Sequence, residues 1–315
     1  MKTSISILIR LVVTSLILGF LFLKINFVQV FSIISTCDIL FFLASFLLFI
    51  SLYFFGILRW QMLLHALELR PPLSRIVTAF SGGLFFNMIL PSTIGGDVAR
   101  AYSLFSHTKE ASKIVATVIL DRLSGFLAVT FIAILSYAFG HSYINSPLIG
   151  WIILFIASIF IFISLLLFSR YISEKFCAFL RLLRLKKIEA VWLKIFNALS
   201  LFRDKKGVLF RNFLISLLIQ GTLVIIFYLI ALSLRANTKV IYFFVIVPII
   251  QVISTIPITI GGLGLRDASA VLFFSKVFIP SEIAVSISLI SFLFLVIVGV
   301  AGGIVYVLTL HTRRL

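Results

Sequence analysis

Acidic residues are scarce in this sequence. Ten Asp and Glu stand against 27 Lys and Arg, and charged residues make up only 12% of the 315 positions. Soluble domains carry about 25% charged residues. Half that fraction, with 62% hydrophobic residues and a mean hydropathy of +1.26, excludes an ordinary water-soluble globule. Disorder and a basic nucleic-acid-binding domain are excluded with it, because neither accommodates 35 Phe and so few polar positions. Cysteine is limited to Cys37 and Cys177, which the topology below sets on opposite sides of a bilayer, so no disulfide framework or Cys-based metal site is expected. His65, His107, His141 and His311 are scattered without H-x-x-H spacing, and no metal or other cofactor is expected. The sequence has no G-x-x-x-x-G-K-[ST] motif, so ATP is not the direct drive of any transport.

What is present is apolar length. A spanning helix needs about 20 apolar residues, and six segments meet that length: 7–26, 39–58, 114–139, 148–168, 208–234 and 283–309. Lys2 and Arg10 before the first run resemble a signal peptide, but no small-x-small cleavage site follows Leu23, so the segment reads as a retained span. Two further apolar regions are interrupted. Residues 76–106 are broken at Pro91 and Gly95-Gly96, and residues 241–279 at Pro257, Gly261-Gly262 and Gly264. Their arms are short for a hydrocarbon core of about 30 Å, which predicts re-entrant helical hairpins, with pairs of short tilted spans as the alternative.

Basic residues orient this layout through the positive-inside rule. With the N-terminus in the cytoplasm, 20 Lys and Arg fall on the cytoplasmic side, Arg59 among them, and four (Lys24, Arg235, Lys239 and Lys276) on the outer side. The chain is therefore expected in the cell (cytoplasmic/inner) membrane with both termini in the cytoplasm. Eleven of the 20 lie between Arg170 and Arg211. Within that stretch Arg181, Arg184, Lys187 and Lys194 alternate with Leu182, Leu185, Val191 and Trp192. The segment 170–207 reads as an amphipathic element in the headgroup layer, with no nucleic-acid partner implied.

The two breaks repeat each other. Both read P-x-T-I-G-G-x-x-x-R, at 91–100 and 257–266, 166 residues apart. The flanking layout of two spans, a broken hairpin and one span repeats as well. The first half begins inside and the second outside, so the expected architecture is an all-α polytopic membrane protein built as an inverted repeat, with residues 1–140 and 141–315 as its halves. Broken helices in such folds meet near the midplane and form a substrate site. Irregular backbone at that depth is tolerated only against protein or a water-filled cavity. Free N–H groups and positive helix ends at the Gly-Gly turns suit an anion such as phosphate.

Charges at depth point to the same place. Asp97, Arg100, Asp121, Arg122, Arg266 and Asp267 lie at the turns or within apolar stretches and sum to zero. Burying each is costly unless it is paired or faces water. Arg100 and Arg266 are the preferred phosphate ligands, because guanidinium offers a bidentate fork. Asn87, one turn before Pro91, is a polar liner or helix-break partner, and Asp97 or Asp267 could take an ammonium or a coupling proton.

R-W-Q-M-L-L from Arg59, F-F-N-M-I-L-P-S-T-I-G-G-D-V-A-R at 85–100, L-D-R-L-S-G at 120–125 and I-P-I-T-I-G-G-L-G-L-R-D at 256–267 resemble the lysylphosphatidylglycerol synthase transmembrane-region family. That family includes the membrane half of bifunctional aminoacyl-phosphatidylglycerol synthase/flippases. The resemblance implies a flippase-like fold with site positions at Asn87, Pro91, Gly95, Gly96, Asp97, Arg100, Asp121, Arg122, Gly261, Gly262, Gly264 and Arg266. Bifunctional members continue into a soluble aminoacyltransferase domain, whereas this sequence stops at Leu315, so aminoacyl transfer from tRNA is not expected.

The expected function is transport of a phospholipid or polyprenyl-phosphate lipid between leaflets, the headgroup crossing a polar cleft formed by these residues together with Asp267. Two alternatives stand beside it: an accessory subunit of an envelope glycosyltransferase or lipid-modifying system, and an integral-membrane headgroup enzyme using Asp97 or Asp121. No His–carboxylate or Cys–His grouping supports the enzyme. Self-association and an envelope-biosynthesis partner are left open by the sequence.

Overall fold

The computed structural model describes residues 2–90, 95–140, 147–256, 258–259 and 262–311, with side chains from residue 11 onward apart from those of 107, 310 and 311. It is 86% helix, with thirteen α-helices and no strand among the described residues. Five helices are long and apolar enough to cross a membrane: α3 (Ile39–Ala66), α6 (Ala111–Gly140), α7 (Pro147–Phe168), α10 (Lys206–Ser233) and α13 (Ser281–His311). A sixth candidate is the pair α1 (Lys2–Lys24) and α2 (Phe27–Ser35). The segment expected as one straight span over 7–26 thus continues, through a bend of 81°. Asn26 at the bend accepts the Gln29 amide at 3.2 Å, so α2 starts as a newly capped helix.

The interrupted regions form two pairs of short helices: α4 (Leu73–Ile89) with α5 (Gly95–Thr108), and α11 (Val240–Ser254) with α12 (Leu265–Phe274). In the first pair Leu90 lies beside Gly95, and Gly83 beside Gly96 and Arg100, so the chain folds back on itself. In the second, Ser254 lies beside Gly262 while Phe243 packs on Phe274 with ring centroids 5.1 Å apart. At about 1.5 Å per residue these helices run roughly 15–26 Å, short of a full crossing. The remaining two, α8 (Arg170–Leu182) and α9 (Lys186–Ser200), occupy the basic stretch and pack against each other, with α9 also against α6 and α7.

Packing between the two parts of the chain is reciprocal. Helix α4 lies on α13 and α11 lies on α6, while α3 and α10 form the most extensive contact of all. One apolar cluster gathers α10 to α13 around Phe243, Phe274 and Phe294; another gathers α3, α4, α6 and α9 around Trp60, Leu63, Leu64 and Phe202. Between them lies a cavity with apolar and charged walls.

Candidate functional site

The cavity encloses about 480 Å³, within the range of roughly 300–1,000 Å³ usual for ligand sites. Its walls come from α3, α4, α5, α6, α10, α11, α12 and α13. Apolar side chains such as Phe49, Leu84, Phe126, Phe227 and Leu295 make one part, and a cluster of charged groups the other.

Helix α5 supplies Asp97 from its first turn and Arg100 one turn later, and α6 supplies Asp121 and Arg122. Arg100 donates Nη2 to Asp121 Oδ2 at 2.9 Å, and its Nε lies 3.1 Å from Asp97 Oδ1. Arg122 Nε donates to the other Asp97 oxygen at 2.5 Å. Arg100 is 5% exposed, and its guanidinium lies 5.0 Å from the centre of the Trp60 ring and 5.7 Å from that of Phe80. These four residues, expected at depth from sequence, meet in one network.

A fifth member was not among the expected site residues. Arg59, counted among the cytoplasmic residues, sits in the cavity wall with its Nε 2.7 Å from Asp121 Oδ1 and its side chain 12% exposed. Its Nη1 donates to Ser216 Oγ on α10 at 2.9 Å. The apolar run stops at residue 58, but the helix continues to Ala66, because the adjacent Trp60 is fully buried and donates Nε1 to Thr117 Oγ1 on α6 at 3.1 Å. The expected balance to zero changes because Arg59 joins the cavity wall and Asp267 does not line it. Arg59, Arg100, Arg122 and Arg266 face Asp97 and Asp121 around the cavity, an excess of two positive charges.

Arg266 occupies a different environment. Its Nε donates to Ser288 Oγ at 3.1 Å and its guanidinium lies 5.1 Å from the Phe292 ring centre. The nearest carboxylate oxygen, on Asp267, is 3.9 Å away. Arg266 Nη2 is buried and has no hydrogen-bond partner among the described residues. Asp267 itself does not line the cavity. It accepts the Gly264 N–H at 3.0 Å, closing the first turn of α12, and also accepts the Ser288 hydroxyl.

The turn glycines serve geometry. Gly96 approaches the Gly83 carbonyl so closely that a Cβ would collide with it, and its N–H donates to Asn87 Oδ1 at 3.0 Å. Asn87 therefore both lines the cavity and caps the break. Gly95 packs on Leu90, while Gly262 and Gly264 adopt φ of +77°, a region glycine occupies without penalty. Gly261, like residues 91–94, Pro257 and Ile260, lies outside the described residues. Of the Gly-Gly turn amides expected to be free for an anion, that of Gly96 is occupied, by Asn87; the Gly264 amide is likewise taken, by Asp267. What the cavity offers an anion is guanidinium.

Two neutral residues were not singled out from sequence. Gln220 on α10 and Gln251 on α11 line the cavity, and Gln220 Oε1 and Gln251 Nε2 are buried without hydrogen-bond partners among the described residues. Each is a lone polar residue in an apolar run, L-L-I-Q-G and P-I-I-Q-V.

Comparison with known proteins agrees with this architecture. The chain is 27% identical to a UPF0104 membrane protein of Methanocaldococcus jannaschii, over 73% of this chain and 73% of that protein. No solved structure matches it. Residues 7–303 match the family described as the lysylphosphatidylglycerol synthase TM region, and the chain belongs to that family of multi-pass, lipid-related membrane proteins.

Proposed function

We propose that the chain is a lipid transporter that moves a phosphate-bearing headgroup, of a phospholipid or a polyprenyl-phosphate lipid, between leaflets through this cavity. The acyl or prenyl chains stay in the bilayer while the headgroup crosses between the two short helix pairs, which act as re-entrant hairpins of an inverted repeat. The reciprocal packing of α4 on α13 and α11 on α6 supports that reading. So does the family, which concerns membrane phospholipid handling. The chain would sit in the cell membrane with both termini in the cytoplasm, and no chemical step on the lipid is invoked.

The observation that carries the proposal is the excess of arginine around a partly apolar cavity, with Arg266 holding a buried N–H donor that has no hydrogen-bond partner among the described residues. A phosphodiester is the complement of that arrangement: one negative charge and acceptor oxygens that match a guanidinium fork. Arg100, the other preferred ligand, is already committed to Asp97 and Asp121, so its part is to hold the wall. Reconstitution into liposomes with a leaflet-specific lipid assay tests the reading. Arg266→Ala should slow translocation at least tenfold, and Arg266→Lys should recover part of it. Full translocation by Arg266→Ala and by the Arg100→Ala/Arg266→Ala double variant would remove the proposed site.

A further inference from the structure

We infer that the α8–α9 hairpin is a docking platform for anionic lipid, separate from the central cavity. Its turn inserts among the acyl chains of one leaflet, and the lysines of α9 lie against lipid phosphates. The inference needs only that the chain spans a membrane and does not rest on transport through the cavity.

The hairpin joins two spans. Helix α8 starts at Arg170, two residues after α7 ends at Phe168, and α10 starts at Lys206. Arg203 Nη2 donates to the Phe168 carbonyl at 3.3 Å, and Lys205 Nζ donates to the Ala66 carbonyl at the end of α3. Phe202 is fully buried in the cluster that holds Ile114 from the first turn of α6. Ends of four spanning helices therefore share this face of the molecule, and the hairpin lies where hydrocarbon gives way to headgroups.

Ser173, Cys177 and Leu180 turn one side of α8 towards the protein. With 3.6 residues per turn, Tyr171, Phe179 and Leu182 fall on the opposite side, and all three are exposed, Leu182 to 80%. The turn adds Leu183, Leu185 and Ile188, exposed as well. Ala198 and Leu199 hold α9 to the fold, which leaves Lys186, Lys187 and Lys194 facing outward.

Charge follows the same surface. Between Arg170 and Ser200 seven basic residues stand against two acidic ones. Both acidic residues are taken, Glu174 by Arg170 at 3.0 Å and Glu189 by Arg181 at 2.5 Å. Lys175, Arg184 and the three lysines of α9 have no carboxylate partner among the described residues. Lys175 Nζ lies 4.4 Å from the centre of the Tyr171 ring, the posture of a lysine that reaches past an apolar side chain towards headgroups. Charge alone would suit a nucleic acid, and apolar area alone another protein. A loop that only set orientation would need the lysines and not the exposed leucines. The two together, at a membrane face, suit an anionic leaflet, which offers hydrocarbon and phosphate side by side.

The full chain with Cys37→Ser, Cys177→Ser and a bimane label on Leu182→Cys tests this in nanodiscs of phosphatidylcholine with or without phosphatidylserine. A doxyl group near the top of the acyl chain quenches a label that enters the leaflet. Quenching should be strong with phosphatidylserine, weak without it, and reduced by salt, which screens exposed charges over about 10 Å at 0.1 M. Each basic residue near an anionic surface contributes about a fivefold preference. Lys186→Gln/Lys187→Gln/Lys194→Gln should therefore shift the hairpin towards water by roughly a hundredfold and bring quenching to the phosphatidylcholine value. Arginine at the same three positions should keep the response, which separates loss of charge from loss of fold. Arg266→Ala should keep it too, because the cavity is a different site. A label that stays in water in both compositions overturns the inference and leaves the hairpin a topology signal. Equal quenching in both also overturns it, since apolar contact would then suffice without recognition of charge. So does a phosphatidylserine response that disappears in Arg266→Ala or survives in the glutamine variant.

Discussion

Asp121 is the residue on which the charged wall depends, because among the described residues it alone pairs with both Arg59 and Arg100. Removing one partner of a buried ion pair costs about 3–5 kcal/mol, since the other charges are left uncompensated. Asp121→Asn should therefore lower the thermal midpoint of the detergent-solubilised protein by several degrees. The exposed pair Arg170–Glu174, with side chains 78% and 66% accessible, is the contrast: such pairs contribute about 0–1 kcal/mol, and Arg170→Ala should leave the midpoint nearly unchanged. Equal midpoints for Asp121→Asn and the native chain would mean that Asp121 is not held as described. Asp97, Arg100, Asp121 and Arg122 were legible as charges at depth because each lies at a helix break or within an apolar stretch. Arg59 was not, since it falls at the end of one, where a basic residue ordinarily marks the membrane surface. The burial of the neighbouring Trp60, bonded to Thr117, and of Leu63 and Leu64 holds that end of α3 inside the fold. Gln220 and Gln251 escaped for another reason: a single neutral amide does not perturb a hydropathy window.

At the scale of elements, the two short helix pairs were readable from P-x-T-I-G-G, while the way their turns are closed was not. The motif requires glycine at 96, where the Gly83 carbonyl and the Asn87 side chain leave no room for a methyl group. Gly96→Ala should open the α4–α5 turn and reduce the yield of folded protein in size-exclusion chromatography. Gly19→Ala in α1, where nothing lies within 4 Å of an added Cβ, should leave that yield unaltered, and equal behaviour of the two variants would argue against close approach at the turn. The basic stretch shows the same division between pattern and packing. Its alternation predicted an amphipathic element, but two helices form, pinned by Trp192 Nε1 donating to Ser173 Oγ at 2.9 Å and by Lys205 donating to the Ala66 carbonyl. Cys177 is closed between them, 4% exposed. Burial pushes its thiol up, with the nearby Glu189 adding to the effect. A raised thiol holds less thiolate at any pH below its own value, so Cys177 should react with maleimide far more slowly than Cys37 at pH 7. The rate should climb as pH rises or when Trp192→Ala loosens α8 from α9. Rapid labelling of Cys177 at pH 7 in the native chain would show that the two helices part readily.

Across the whole molecule, the charge excess and the repeat answer different questions. The 27 basic residues against 10 acidic ones mostly lie outside the cavity, where they bear on orientation in a membrane. The excess of two positive charges inside bears on what enters. The halves around the cavity are alike in packing but unlike in chemistry: α5 and α6 contribute both cavity carboxylates, whereas α12 contributes Arg266 with a serine partner on α13. The repeat of six positions was visible in sequence because the same residue types recur at the same spacing, 166 residues apart. The asymmetry became readable only once the helices were placed, since it depends on which side chains face inward. If transport proceeds by rocking one half against the other around the headgroup, contacts between α4 and α13 must change during the cycle. Met88 on α4 and Gly299 on α13 provide a lock. A Cβ at Gly299 would lie 3.9 Å from Met88 Cβ, close to the separation of about 3.8 Å in a disulfide. Met88→Cys with Gly299→Cys, in a chain carrying Cys37→Ser and Cys177→Ser, should therefore cross-link on oxidation. Lipid translocation in liposomes should then stop and return with dithiothreitol, while headgroup binding by native mass spectrometry persists in both states. Translocation that continues undiminished in the fully oxidised variant would mean that α4 and α13 move as one body, and the rocking motion would have to be sought elsewhere in the fold.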